Sequence, residues 1–315
     1  SIENLIEDPK SLFAERYQFI QLDISKKDEA KKAIIISDPD YVINFAAESH
    51  VDRSIDNPNP FILNNIIGTF NLLEVLREHF SKLKSNRKKE FRFHHISTDE
   101  VFGSLGEKGF FNESSPYDPR SPYSASKASS DHLVKSWNHT YNLPTLITNC
   151  SNNFGPWQFP EKLIPLVILK ALSGDSIPIY GNGLNIRDWL YVEDHVDAIL
   201  TVLTQAEPGS NYCVGGFGEK TNKEVVYLIC EILDDICPKI YKHNTLIRYV
   251  TDRPSHDRRY AIDSKKMRNK FDWKPNYLFE DALKNTINWY VNNQVWCKKV
   301  KNNSGYSGER IGLNS

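Results

Sequence analysis

Short apolar runs alternate with longer helical stretches through the first half of the chain. Residues 17–22, 41–47, 91–98 and 145–151 are strand-length runs rich in β-branched and aromatic side chains. Between them the spacing predicts a helix beginning near Ser25. A second runs through Ile66, Ile67, Phe70, Leu73 and Leu76, and a third spans 121–141 with Ser121 as N-cap and Pro122 in the first turn. Strands separated by helices of this length need crossover connections, and so a parallel sheet. The runs are mostly apolar, as strands covered on both faces should be.

After Ser151 the texture changes. Pro156, Pro160, Pro165, Pro178, Gly174, Gly181 and Gly183 cut the chain into shorter pieces, with helices predicted over 161–172, 192–205, 222–236 and 279–291. The expected fold class is α/β: a doubly wound, mostly parallel sheet over 1–154, to which the chain returns around 185–213. A smaller α+β domain is expected over 155–297, and the polar segment 298–315 is expected to be a flexible tail.

The length of 315 residues suits one large domain or two modest ones. Composition then narrows the function classes. Lys+Arg 39 against Asp+Glu 40 gives a net charge of −1, which argues against a nucleic-acid partner. No apolar run is long enough to span a bilayer, and the opening SIENLIEDPK has no secretory pattern. Cys150, Cys213, Cys230, Cys237 and Cys297 are scattered without a CxxC pair, so neither a disulfide framework nor a metal site is expected, and the compartment is expected to be cytoplasmic.

Two clusters carry chemistry. Tyr123 and Lys127 stand four apart on a predicted helix, so phenol and ammonium share a face, and a cation there lowers a phenol's pKa toward use as a base. On spacing alone an ordinary surface pair is the alternative. Thr98, Asp99 and Glu100 end a predicted parallel strand, the edge at which such sheets bind ligands. Adjacent carboxyls repel, so one is expected to stay neutral as an acid while the other ionises as a base. A solvated helix N-terminus is the alternative. His94 and His95 point to opposite faces of their strand and are expected to pack rather than bind metal.

A dinucleotide site normally opens with strand, glycine-rich turn and helix. No such cluster follows a strand here; Gly103, Gly106 and Gly109 lie in a loop with no helix promptly after them. The sole methionine is Met267. The sequence is therefore expected to begin partway into a domain, with a unit of roughly 30 residues ahead of Ser1. Removal of an initiator methionine is the alternative.

With these clusters in place, the chain resembles the extended short-chain dehydrogenases/reductases, and among them the dTDP-glucose 4,6-dehydratases. The likeness runs from about Tyr17 to Val291. It rests on residues 45–54 (FAAESHVDRS), 95–103 (HISTDEVFG), 121–131 (SPYSASKASSD), 149–156 (NCSNNFGP), 159–165 (FPEKLIP), 186–194 (IRDWLYVED) and 252–259 (DRPSHDRR). The Thr-Asp-Glu triplet is the discriminating element, because sugar-nucleotide epimerases of the same fold lack the acid pair.

The resemblance implies a Rossmann-like fold, N-terminally incomplete, bound NAD, a dTDP-glucose substrate and conversion to the 4-keto-6-deoxy sugar plus water. It also implies roles. Tyr123, with Lys127 and Thr98, would take the C4 hydroxyl proton, Glu100 the C5 proton, and protonated Asp99 would supply the departing C6 hydroxyl. Asp23, Ile24, Phe45, Ala46, Ala47, Ser49, Asn64, Tyr123, Lys127 and Asn153 match cofactor positions. Ser49, Thr98, Asn152, Lys162, Leu163, Pro178, Tyr180, Arg187, Asn222, Asp252, Arg253 and His256 match substrate positions. Arg187 suits a diphosphate; a structural pair with Asp188 or Glu193 is its alternative. A homodimer through the 65–80 and 121–141 helices is implied as well.

Phe45 stands where the family usually has leucine and Phe102 where tyrosine is common, and the loop 103–117 is short. An epimerase, or a catalytically silent fragment, is the alternative to a dehydratase. If the chain stood alone without the glycine-rich unit, poor folding and weak cofactor retention would be expected; within a longer polypeptide, activity.

Overall fold

A computed structural model describes residues 17–254 and 256–304. Four parallel strands form the central sheet in spatial order β1 (Tyr41–Asn44), β2 (Arg92–Thr98), β3 (Thr145–Cys150) and β4 (Asn211–Val214). Every residue of β3 is buried, as are most of β2, which explains their apolar reading. The sheet is doubly wound α/β, with an apolar core of Leu73, Leu76, Phe91, Phe93, Val134 and Ile147 packed against it.

The helix Pro122–Tyr141 starts where predicted, and the start is fixed by a reciprocal cap. Ser121 Oγ accepts from Ser124 N at 3.0 Å, and Ser124 Oγ accepts from Ser121 N at 2.9 Å. Its buried face carries Tyr123, Ser126, Lys127, Ser130 and Asp131. Burying that many polar groups costs stability unless each finds a partner, so this face is built for more than packing. Opposite it, a π-helical turn, Ile62–Ile67, leads into the helix Gly68–Lys82. Buried Asn65 in that turn accepts from Glu48 N at 2.8 Å and donates to Glu48 O at 3.0 Å and Ser126 Oγ at 2.8 Å. The loop after β1 is thereby pinned to the long helix.

A second core gathers Phe154, Ile164, Val167, Ile168, Val226, Ile229, Leu283 and Tyr290. Small strand pairs edge it: Ile177–Tyr180 with Ile247–Val250, Asn152–Phe154 with Trp189–Tyr191, and Ile186–Arg187 with Lys220–Thr221. The helices Val192–Gln205 and Asn222–Ile236 have the bounds their sequences predict, the second through a Thr221–Glu224 capping box.

Three expectations need correction. Residues 17–22 form no strand, and Tyr17 and Phe19 are exposed. A strand needs a ladder partner, and among the described residues β1 pairs only with β2. The helix expected at 161 begins at Leu163, because Lys162 is extended. A helix, Gln294–Ser304, occupies the start of the expected tail; residues 305–315 lie outside the described ones, as do 1–16. Among the described residues no helix is long and apolar enough to cross a membrane.

Replacing Ser121 with alanine is expected to cost about 1 kcal/mol. Urea unfolding should show a lower midpoint with an unchanged slope.

Candidate active site

The end of β2 separates the two acids. Thr98 Oγ1 accepts from Glu100 N at 3.2 Å, capping a single 3₁₀ turn, Asp99–Phe102, and its hydroxyl reaches Asp99 Oδ1 at 3.3 Å. Val101 and Phe102 anchor the turn in a cluster with Phe111, Ala128, Cys213 and Tyr260. Gly103 closes it at φ +83°; a Cβ there would stand 2.5 Å from the Asp118 carbonyl oxygen, so only glycine fits. The family-atypical Phe102 is thus a packing residue, stacked on Phe111 at 5.3 Å between centroids.

The turn sends Asp99 inward and Glu100 toward a cavity. Asp99 is 1% exposed, and its Oδ2 has no hydrogen-bond partner. Burial pushes its carboxyl well above the usual carboxylate range, and the charges of Glu100 and Asp188 add to the rise. Burial also raises Glu100, but Arg253, Arg187 and Lys162 pull it back. Both acids therefore lie above their ordinary values. The surroundings favour a neutral Asp99, which only Arg187 opposes among the cations, whereas Arg253, Arg187 and Lys162 all act on Glu100.

Tyr123 sits with the acids. Burial pushes its phenol well above its ordinary value; the Glu100 charge adds to this, and a hydrogen bond with Thr98 works against it. This reverses the expectation that Lys127 lowers it. Lys127 is on the same face but donates to Ile96 O at 2.8 Å, and burial lowers its own pKa. Phenol, threonine and both acids are brought together at one strand end, as the sequence implied.

The cavity beyond Glu100 has a volume of about 190 Å³. Ser49, Asn152, Lys162, Leu163, Pro178, Tyr180, Arg187, Asn222, Arg253 and His256 line it, with Glu100. Two expected substrate residues are not part of the lining: Thr98, and Asp252, whose Oδ1 is 2.6 Å from His256 Nδ1. Burial and the nearby Arg253 and Arg187 lower His256 to about 4, so its ring is neutral at pH 7. The Arg187 guanidinium donates to the Ile186 and Asp257 carbonyls at 2.8 and 3.0 Å and lies over the Tyr260 ring. It pairs with neither Asp188, which accepts from Gly218 N, nor Glu193.

Three contacts draw the segment after β1 across this cavity: Lys162 Nζ to Ser49 O at 2.6 Å, Arg53 Nε to Glu161 Oε2 at 2.9 Å, and Arg253 to Asp52 at 2.8 Å. Asp52, His50, Glu161, Trp189 and Tyr260 also line the cavity, and the sequence reading did not single them out. His50 and Asp52 fall within 45–54, Glu161 within 159–165 and Trp189 within 186–194. Tyr260 had no signal beyond following that of 252–259.

Of the expected cofactor residues other than Tyr123 and Lys127, only Ser49 lines that cavity. Phe45, Ala46, Ala47 and Ser49 are exposed just beyond β1. Asn64 lies in the π-helical turn, and Asp23 closes its own turn by accepting from Ser25 N at 2.9 Å, with Ile24 following. At the end of β3, Ser151 Oγ and Asn153 Oδ1 are buried without hydrogen-bond partners. Unfilled acceptors beside an open strand end fit a ligand that brings amide donors.

The match to known proteins is broad. Residues 1–286 match the family model described as GDP-mannose 4,6 dehydratase. A dTDP-glucose 4,6-dehydratase from Xanthomonas campestris pv. campestris is 52% identical over 296 residues, covering 93% of this chain and 84% of that protein. Escherichia coli K12 dTDP-glucose 4,6-dehydratase 1 is 52% identical over 297 residues, covering 91% and 82%. The crystal structure of a Bacillus anthracis dTDP-glucose 4,6-dehydratase in complex with NAD aligns with TM-score 0.82 and 42% identity, covering 95% of this chain and 86% of that one. A Thermus thermophilus UDP-glucose 4-epimerase, 24% identical with TM-score 0.79, shares the fold.

Asp99 generates a stability prediction. Its folded-state pKa lies above the unfolded value of about 3.9, so the native state holds a proton that the unfolded state has released. Its contribution is full below that pH and is lost as pH rises toward the folded value. Asp99→Asn is expected to unfold at higher denaturant than the parent at pH 7, with the difference vanishing below about pH 4. Urea melts across this range check it.

Proposed function

The chain belongs to the dTDP-glucose 4,6-dehydratases, NAD-dependent extended short-chain dehydrogenases/reductases, and on that premise we propose how its residues divide the reaction. It is a hydro-lyase that converts dTDP-glucose to dTDP-4-keto-6-deoxyglucose and water. The observation that carries the assignment of roles is the different placement of the two acids beside Tyr123: Glu100 lines the cavity with Arg187, Arg253 and Lys162, while Asp99 is buried with its Oδ2 unpartnered.

Tyr123 takes the C4 hydroxyl proton. Burial and the Glu100 charge hold its phenol well above its ordinary value, so this role needs the positive charge that an oxidised nicotinamide would bring beside it, with the Thr98 hydrogen bond acting in the same direction. The chemistry that NAD would supply here is reversible hydride storage between C4 and C6, with no net consumption. Asp23, Ile24, Phe45, Ala46, Ala47, Ser49, Asn64, Lys127 and Asn153 are the residues that would hold it. The 4-ketone acidifies C5, and Glu100, drawn toward its ionised form by three cationic neighbours that oppose the effect of burial, removes that proton. Asp99, kept protonated by burial, gives its proton to the C6 oxygen, which leaves as water. Glu100 returns a proton to C5, and the proton gained by Tyr123 balances the one Asp99 gave.

Arg187 and Arg253 face the cavity as guanidinium donors suited to the diphosphate, with Lys162 beside them. Asn152 serves the sugar, while Leu163, Pro178 and Tyr180 offer apolar surface to the base. Asp252 sets the orientation of His256. Residues 1–154 with the returning β4 act as the cofactor domain and 155–297 as the substrate domain. Ile67, Phe70 and Tyr141 are exposed apolar residues on the two helices expected to dimerise, and Ile62 and Leu63, just before the first, are exposed as well, which supports that reading. All five cysteines are free, which supports a reducing cytoplasmic setting.

Incubation with dTDP-glucose and NAD should give the alkali-induced absorbance of a 4-keto product; its absence would refute the dehydratase reading. Glu100→Gln and Asp99→Asn should each lower kcat about 10²–10⁴-fold. In D2O, Glu100→Gln should stop deuterium uptake at C5, while Asp99→Asn should permit C5 exchange and slow water loss, both followed by mass spectrometry.

A further inference from the structure

The helix carrying Tyr123 encloses one buried group that these steps leave unused. His95, on β2, lies against Lys127 and Asp131, one turn apart on that helix. Its neighbours fix its tautomer. Ala46 N donates to Asn44 Oδ1 at 3.2 Å, which orients the Asn44 amide with Nδ2 toward His95 Nδ1, also at 3.2 Å. Nδ1 therefore accepts, and the proton of the neutral ring is on Nε2. Nε2 faces Ser130 Oγ at 3.2 Å and Asp131 Oδ1 at 3.5 Å. The Ser130 hydroxyl already donates to Lys127 O at 2.8 Å, so its oxygen is open to accept. The titratable groups about the ring are Lys127 and Asp131 from the helix and His94 beside it on β2; burial and the charges of Lys127 and His94 keep it neutral.

Lys127 Nζ is 3.4 Å from the same Nε2, a distance that would admit a hydrogen bond if Nε2 accepted; with the ring proton on Nε2 two donors meet there instead. A lysine and an aspartate at i and i+4 ordinarily pair on a helix, and buried charges need compensation. Here no carboxylate stands within 4 Å of Lys127 among the described residues, and its ammonium donates to Ile96 O instead. Asp131 is held from the other side: its Oδ2 accepts from Ser97 Oγ, Tyr117 Oη and Asn149 Nδ2, while Oδ1 has no hydrogen-bond partner.

We propose that His95 is a positioning residue whose Nε2–H ring is a wedge between Lys127 and Asp131. It keeps the ammonium from closing onto the carboxylate and leaves it available to the oxidising end of the site. Through Asn44 the wedge is tied to Ala46, in the segment assigned to the cofactor. The inference rests on the reading of Tyr123 and Lys127 given above.

A double-mutant cycle tests it. His95→Leu removes the wedge and should lower kcat with dTDP-glucose about tenfold or more, with KM changed less than about threefold. His95→Gln, which retains a donor nitrogen near the Nε2 position, should recover most of the loss. In a Lys127→Ala background, His95→Leu should change kcat by less than about threefold. An equal loss in both backgrounds overturns the proposal. Thermal melts establish that the variants fold; should His95→Leu fail, His95→Asn, too short to reach, replaces it in the cycle. An inactive parent enzyme would refute the assigned reaction, and histidine ¹⁵N spectra would still decide the wedge. A neutral Nε2–H ring for His95 supports it; an Nδ1–H ring or an imidazolium at neutral pH overturns it.

Discussion

Two adjacent carboxyl groups leave the end of one strand into opposite surroundings, and the rest of the site is arranged about that difference. Asp99 goes into a space that offers its Oδ2 no donor. Glu100 looks into a cavity walled by cations. Placed in one environment, the two would compete for ionisation and neither role would be secure. The 3₁₀ turn capped by Thr98 and closed at Gly103 is what forces them apart.

Holding an uncompensated acid in the interior is costly, and the surrounding architecture offsets it elsewhere. The long helix is started by a reciprocal serine cap and braced by Asn65 through Ser126. The segment after β1 is drawn over the cavity by ion pairs from Arg53 and Arg253 and by the Lys162 contact to Ser49. These contacts join positions far apart in the chain, 201 residues in the case of Arg253 and Asp52. The cavity is thus a product of the packed fold. Its cations do double duty, pulling Glu100 toward ionisation and facing the space where a diphosphate would lie.

What the sequence disclosed, and what it withheld, follows from the range of the interactions involved. Helices with local caps were legible to the residue: Asn222–Ile236 is announced by Thr221 and Glu224, three apart. The strand expected at 17–22 was not realised, because strand formation depends on a partner that local pattern cannot supply. The convergence of Tyr123, Thr98, Asp99 and Glu100 was readable from motif and strand-end position. The sense of the phenol's pKa was not. Spacing placed Lys127 on the correct face, but its ammonium donates to the Ile96 carbonyl, and burial dominates the phenol's pKa. Asp52 and Tyr260 escaped notice because only tertiary packing brings them to the cavity.

The most direct test is infrared difference spectroscopy at pH 7 on the parent enzyme, Asp99→Asn and Glu100→Gln, reading the carbonyl stretch of protonated carboxyl groups. The account predicts a protonated-carboxyl band that disappears in Asp99→Asn and persists in Glu100→Gln. A band that persists in Asp99→Asn and is lost in Glu100→Gln would contradict it, as would a parent spectrum in which Asp99 is ionised.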